Sequence, residues 1–200
     1  MNASSSTDRD RFWGHAAAFG ALWGAIEATV GTFLHALRIP FGGTLLAATG
    51  AALLVALRVV YPRRGVMLAA GAVCAGVKLL SPATTVSGPM IGIMMESLLL
   101  EIACLAFGAN PVSVVLGGAL ATLWALSQKV LTQIVLYGAP VIDLYRELLV
   151  RAEKWLHLSP SGGLRVVIPF ATLVSLIGAL TALAGYRAGR VVLSRKAGEP

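Results

Sequence analysis

The sequence predicts an all-α, polytopic membrane protein of six transmembrane helices with both termini on the cytoplasmic side. Three observations carry this expectation. Hydrophobic residues make up 57% of the 200 and charged residues only 12%, where a soluble domain needs about a quarter charged to cover its surface. The mean hydropathy is +0.81. Apolar runs close to the roughly 20 residues that cross a bilayer recur along the chain, separated by Pro, Gly and Arg. The net charge of +7 does not indicate nucleic acid, because the 16 Lys and Arg stand singly or in pairs beside the apolar runs. Membrane-flanking anchors have that distribution, and a phosphate-tracking groove does not.

Residues 1–11 are polar with mixed charge and read as an N-terminal tail. The apolar run after them is too long for the core of a signal peptide, so it reads as a retained first span. The spans are expected at 12–37, 41–61, 65–80, 90–107, 112–137 and 166–186, forming one domain over 12–190, with a basic tail over 191–200. The breaks are Ile39-Pro40, Pro62-Arg63-Arg64-Gly65, Ser81-Pro82 with a turn-rich stretch through Gly88-Pro89, and Gly108-Ala109-Asn110-Pro111, each holding residues that stop or bend a helix. The third span is the shortest.

One long connection, 138–164, joins the fifth and sixth spans. It sets Val141, Ile142, Tyr145, Leu148, Leu149 and Trp155 against Asp143, Arg146, Glu147, Arg151, Glu153 and Lys154. That spacing is an amphipathic helix, expected outside the cytoplasm on the membrane surface or over a pocket mouth. Arg9, Arg11, Arg58, Arg63, Arg64, Arg187, Arg190, Arg195 and Lys196 fall on one side, and Arg38, Arg146, Arg151, Lys154 and Arg165 on the other. This excess places both termini in the cytoplasm, as an even number of spans requires. A multi-pass protein of a bacterial cytoplasmic membrane is the expected setting.

Ionisable residues inside spans are the informative ones, since each costs at least about 2.5 kcal/mol at the bilayer centre unless it faces a cavity or a partner. They are Glu27, Lys78, Glu96, Glu101 and Lys129. At 1.5 Å per residue, Glu27 and Lys78 lie roughly 20 Å and Lys129 roughly 25 Å from the cytoplasmic ends of their helices, and Glu96 roughly 10 Å from the outer end of its own. All four fall in the outer half, where two acids and two bases can grip a charged or zwitterionic solute or neutralise each other. For Lys78, snorkelling to the outer headgroups is the competing reading. For Glu27, Glu96 and Lys129 it is helix–helix ion pairing. Glu101 lies deeper and about 140° around the helix from Glu96, so it is expected to serve another contact. Trp124, Gln128, Lys129 and Gln133 on the fifth span suit recognition of a flat heterocycle by stacking and hydrogen bonding, or ordinary interfacial Trp and interhelical bonding.

Two small-residue faces mark the first span, Gly20, Gly24 and Ala28, and Ala17, Ala21 and Ala25. Either permits close approach of another helix, within the chain or from a partner. Enzyme readings lack their parts. His15 and His35 stand about 30 Å apart on one helix, His157 lies in the long loop, and no span holds a metal-ligand cluster. Ser97 has no histidine at matching depth, and Ser159-Pro160-Ser161-Gly162-Gly163 follows no strand and is no nucleophile elbow. Cys74 and Cys104 lie inside apolar runs, which argues against a disulfide framework. No catalytic residue, metal, cofactor or nucleic-acid partner is expected.

Trp23-Gly24-Ala25-Ile26-Glu27-Ala28, Lys78-Leu79-Leu80-Ser81-Pro82 and Gly88-Pro89-Met90-Ile91-Gly92-Ile93-Met94-Met95-Glu96, with the chain length, the six spans and the outer-half polar layer, resemble the substrate-binding S components of energy-coupling-factor transporters. These are importers of vitamins and related micronutrients. The resemblance implies a solute pocket near the outer surface involving Glu27, Glu96, Lys129 and Gln133, with a lid role for the segment from Tyr145 to Trp155. It also implies that a small-residue face of the first helix packs on a transmembrane coupling subunit that works with two cytoplasmic ATPases. The long connection before the last span departs from that family, and no substrate-specific motif is present. The alternative function is a structural or assembly protein whose intramembrane ion pairs only hold helices together. A lipid-modifying enzyme would need a carboxylate cluster for metal and phosphate that the sequence lacks.

Overall fold

The computed structural model describes residues 3–37, 41–80, 87–157, 159 and 163–198, without the side chains of 3–6, 35 and 87. Among these residues the chain is all helical: α1 (Ala3–Ala36), α2 (Gly42–Val60), α3 (Val66–Leu79), α4 (Ser87–Phe107), α5 (Pro111–Tyr137), α6 (Pro140–Trp155) and α7 (Leu164–Gly198). The expected breaks at Ile39-Pro40 and Ser81-Pro82, the loop residues Pro160 to Gly162, Arg38 and the His35 side chain lie outside the described residues.

Five helices, α1, α2, α4, α5 and α7, are long and apolar enough to cross a membrane. The third expected span, α3, is apolar but only 14 residues long, about 21 Å at the α-helical rise and short of a hydrocarbon core of about 30 Å. Both polar tails are corrected. Residues 3–11 belong to α1, and the basic C-terminal stretch continues α7 to Gly198. α4 also begins earlier than its expected start at Met90. Pro89 stands in the first turn, where the missing N–H has no helical acceptor to lose.

Helix directions follow from close approaches. Trp23 of α1 lies over Gly50 of α2 and Leu34 over Gly42, so α1 and α2 run antiparallel. Gly20 faces Ala70 and Val73 while Gly24 faces Val77, so α1 and α3 run parallel. Met67 meets Glu101 while Gly71 meets Ser97, and Gly92 meets Gln128 while Leu100 meets Gly117, so direction reverses at α3–α4 and again at α4–α5. Gly185 approaches Ala52 and Gly189 approaches Val59, so α7 runs with α2. Thus α1, α3 and α5 run one way and α2, α4 and α7 the other. The start of α1 and the end of α7 share one end of the bundle, called proximal below, and α6 joins α5 to α7 at the distal end.

The central helix is α2, which packs against α1, α3, α4, α5 and α7. Around it α1 meets α3, α3 meets α4, α4 meets α5 and α5 meets α7. The core runs through Trp23, Leu54, Leu57, Met67, Leu100 and Val114. One of the tight seams is α5–α7. A Cβ on Gly178 would stand 2.2 Å from Thr122 Oγ1 and 2.3 Å from the Gly118 carbonyl, and Thr122 Oγ1 donates to the Val174 carbonyl at 3.1 Å. Small residues plus one interhelical hydroxyl bond are a regular means of helix association in lipid. Outward, Val135, Leu136, Leu180 and many other large apolar residues are exposed, as lipid-facing positions are.

Local sequence explains the helix starts. Asn110 caps α5: its side chain accepts from the Ser113 amide at 2.9 Å, the Asn110 amide donates to Ser113 Oγ at 3.1 Å, and Pro111 fills the first helical position. This is a reciprocal capping box. Gly65 begins α3 at φ 82°, a left-handed conformation that glycine adopts without Cβ strain.

Candidate functional site

Two of the expected residues meet, and a third is buried within electrostatic reach of them. Glu27 of α1, Lys78 of α3 and Glu96 of α4 are all buried. Lys78 Nζ stands 3.6 Å from Glu27 Oε2 and donates to the Glu27 backbone carbonyl at 3.0 Å. Lys78 is therefore paired with α1. Its stem reaches along α1 toward the distal end, and its ammonium ends on a carboxylate. Gly31 of α1 lies beside the pair, its Cβ position 3.6 Å from Lys78 Nζ and 3.8 Å from Glu27 Oε2. Glu96 lies within electrostatic reach of Glu27, yet among the described residues no cation stands at ion-pair distance from it and no side-chain hydrogen bond engages it. Cys74 of α3, buried and reduced, is close enough to feel all three charges. The sequence offered no signal for Cys74 beyond its place in an apolar run.

The α5 residues do not join this layer. Lys129 is exposed and has no partner among the described residues, which removes one of the two expected cations. Gln128 instead donates to the Gly88 carbonyl at the start of α4, and its amide lies against Gly92. Trp124 is half-buried, with its indole N–H inside and unpartnered. Gln133 accepts from the Tyr145 hydroxyl, which ties α6 to the distal end of α5. The expected Trp, Gln and Lys group is therefore spread around α5 and along its length.

Glu101 serves another contact, as its position on the helix implies. Its carboxylate accepts from the backbone amides of Gly65 at 2.8 Å and Met67 at 3.1 Å, and lies 3.6 Å from Arg58 Nη1. It thus caps the N-terminus of α3, where the helix dipole favours an anion, and neutralises Arg58. Arg58 is correspondingly no loop residue. It is buried in the last turn of α2 and also donates to the Arg63 carbonyl.

Glu153 repeats the device. Assigned to the polar face of the amphipathic segment, it is 2% exposed and accepts from the Gly163 amide at 2.8 Å, one residue before α7. Trp155, assigned to the apolar face, is 86% exposed, with Ile142, Leu144 and Leu148 also outward. α6 therefore turns Glu153 inward and keeps both charged and apolar side chains outside.

The two small-residue faces of α1 separate. Gly20 and Gly24 are buried against α3, where added Cβ atoms would come within 2.5 Å of the Ala70 carbonyl and 2.8 Å of Val77. Ala28 beside them is half-buried. Ala17, Ala21 and Ala25 are exposed. The first face is internal packing, and the second is open. Among the described residues no three His, Cys, Asp or Glu side chains converge as metal ligands would.

Fold and site together define an all-helical protein whose apolar helices are those of a multi-pass membrane protein. Compared with protein families, with curated proteins and with solved structures, the chain has no match in any of the three.

Proposed function

We propose that the chain is the solute-binding membrane subunit of a micronutrient importer of the energy-coupling-factor kind, with α1 to α5 and α7 crossing a bacterial cytoplasmic membrane and both termini inside. The observation that carries this reading is the buried layer of Glu27, Lys78 and Glu96 on three separate helices. Such charges are costly in lipid and ordinarily mark a solute path or a partner. Glu27 and Lys78 offset each other, which leaves Glu96 as the buried acid with no cation at ion-pair distance among the described residues. The layer therefore suits a small solute with a cationic group, such as a protonated amine or a quaternised heterocycle. Alternating helix directions support six crossings, the short α3 among them. α6, tethered by Tyr145 to Gln133, suits a lid, and the outward Ala17, Ala21 and Ala25 suit a coupling subunit.

The test is a thermal-shift panel on purified protein with cationic, zwitterionic and anionic vitamins, vitamin precursors and nucleobases. A cationic member should raise the melting temperature. Glu96→Gln should abolish that shift while leaving the solute-free melting temperature close to wild type. If no member stabilises the protein, and Glu96→Gln leaves uptake of every member by cells unchanged, the reading fails. A second reading is favoured by one contact: Lys78 bonds both the carboxylate and the backbone of α1, as a purely structural clamp would. In that case Glu27→Gln lowers stability, and no solute is ever found.

A further inference from the structure

At the proximal end, away from the charged layer, an open cavity of about 540 Å³ lies between the first turns of α1 and the α2–α3 connection. Its walls carry Asp8, Arg9, Phe12, Tyr61, Arg63 and Arg64. The single acid is already engaged, since Asp8 pairs with Arg63 and its backbone carbonyl accepts from the Tyr61 hydroxyl at 3.4 Å. Arg9 and Arg64 are exposed and have no partner among the described residues. Three guanidinium groups against one carboxylate leave the cavity with two surplus positive charges.

One wall is apolar and fixed. Phe12 and Tyr61 have ring centroids 6.4 Å apart, and His15 stacks on Tyr61 at 4.5 Å and 10°. The position also matters. Asp8 and Arg9 stand at the start of one apolar span, and Tyr61 to Arg64 follow directly on the end of another, so the cavity lies at the depth of lipid headgroups. Guanidinium groups bind phosphate oxygens through paired N–H donors, and basic pockets at this depth hold anionic headgroups.

We propose that this cavity is a binding site for a phosphate-bearing anion, with Arg9 and Arg64 as its two free guanidinium ligands, Arg63 held in place by Asp8, and Phe12 and Tyr61 as the apolar side. The chemistry is shared by an anionic phospholipid headgroup and by a soluble phosphate. The test uses the full chain in a neutral detergent, titrated in parallel with phosphatidylglycerol, phosphatidylcholine, sn-glycerol 1-phosphate and inorganic phosphate while thermal stability is followed. Phosphatidylglycerol should stabilise saturably and phosphatidylcholine should not. Arg9→Gln with Arg64→Gln should weaken the apparent affinity about 30-fold, from about fivefold per arginine. The control Arg195→Gln with Lys196→Gln, the same charge change on exposed α7 residues outside the cavity, should leave it within about twofold. Stabilisation by phosphatidylglycerol alone identifies a lipid site. Stabilisation by the soluble phosphates with the same arginine dependence identifies a free-phosphate site. The proposal is overturned if no phosphate compound binds, or if the control weakens phosphatidylglycerol as much as the cavity variant does, which is diffuse attraction to the whole basic surface.

Discussion

Glu101→Ala is the perturbation whose cost is best determined by the structure. One carboxylate there does three things: it accepts from the amides of Gly65 and Met67 and faces the guanidinium of Arg58, with both side chains under 10% exposed. Removing it leaves Arg58 buried with the Arg63 carbonyl as acceptor, and two amide donors at the start of α3 without their acceptor. Breaking a buried pair by deleting one partner costs about 3–5 kcal/mol. Charge-assisted hydrogen bonds of about 1.5–3 kcal/mol each belong to the same group, so they are part of that figure and not added to it. Glu101→Gln retains one acceptor oxygen and should lose about half as much. Arg58→Met with Glu101→Gln removes both charges and should cost about 1–3 kcal/mol less than the sum of the single variants, the coupling expected of contacting residues. The assay is reversible unfolding in mixed micelles at rising denaturing-detergent fraction, followed by tryptophan fluorescence. A loss under about 1 kcal/mol for Glu101→Ala, or strict additivity in the double variant, would refute the assignment of Glu101 as the charged cap of α3.

Two further outcomes follow from the packing. Gly178→Ala should cost about 1–3 kcal/mol, because its Cβ meets Thr122 and the Gly118 backbone at under 3 Å and the helices must part. Gly76→Ala, with nothing within 4 Å, should stay within about 0.5 kcal/mol, and thermal unfolding distinguishes them. Glu153→Ala unlatches α6 from the turn before α7 at a local cost of about 1–3 kcal/mol, so limited proteolysis should cut α6 while the bundle's melting temperature holds; simultaneous loss of both would show that α6 is part of the cooperative core.

The sequence carried the order of the apolar helices well, because runs of apolar residues are what a bilayer selects, but not the ends of α1 and α7, which continue through the polar stretches. It carried facing poorly. In a soluble helix the polar face announces its own rotation. On α5, however, residues 114–126 are almost uniformly apolar or small, so nothing fixed which side looked inward. Depth along such a helix does not imply convergence: Lys129 matches the expected depth of Glu27 and Glu96 but lies about 100° around the helix from Gln128, on an exposed side. The same absence of periodicity left the two α1 faces equivalent on paper, while in the fold Gly20 and Gly24 meet α3 and the alanines remain outside.

The buried acids show why charge inside an apolar run is an incomplete signal. Glu101 and Glu153 are as buried as Glu96, and both end on the backbone amides that open another helix. A helix N-terminus within the bundle must find acceptors for its first amides. Where one helix begins beside another, a carboxylate from that neighbour is an effective one, and its burial then says nothing of a ligand. Glu27 also belongs to the structure through Lys78. These assignments depend on which residues become neighbours, which spacing along one helix does not reveal. Once the caps and the pair are set aside, Glu96 is the buried acid of α4 that meets neither a helix start nor a cation. The functional reading therefore rests on that one carboxylate, and replacing it with an uncharged isostere separates binding from packing.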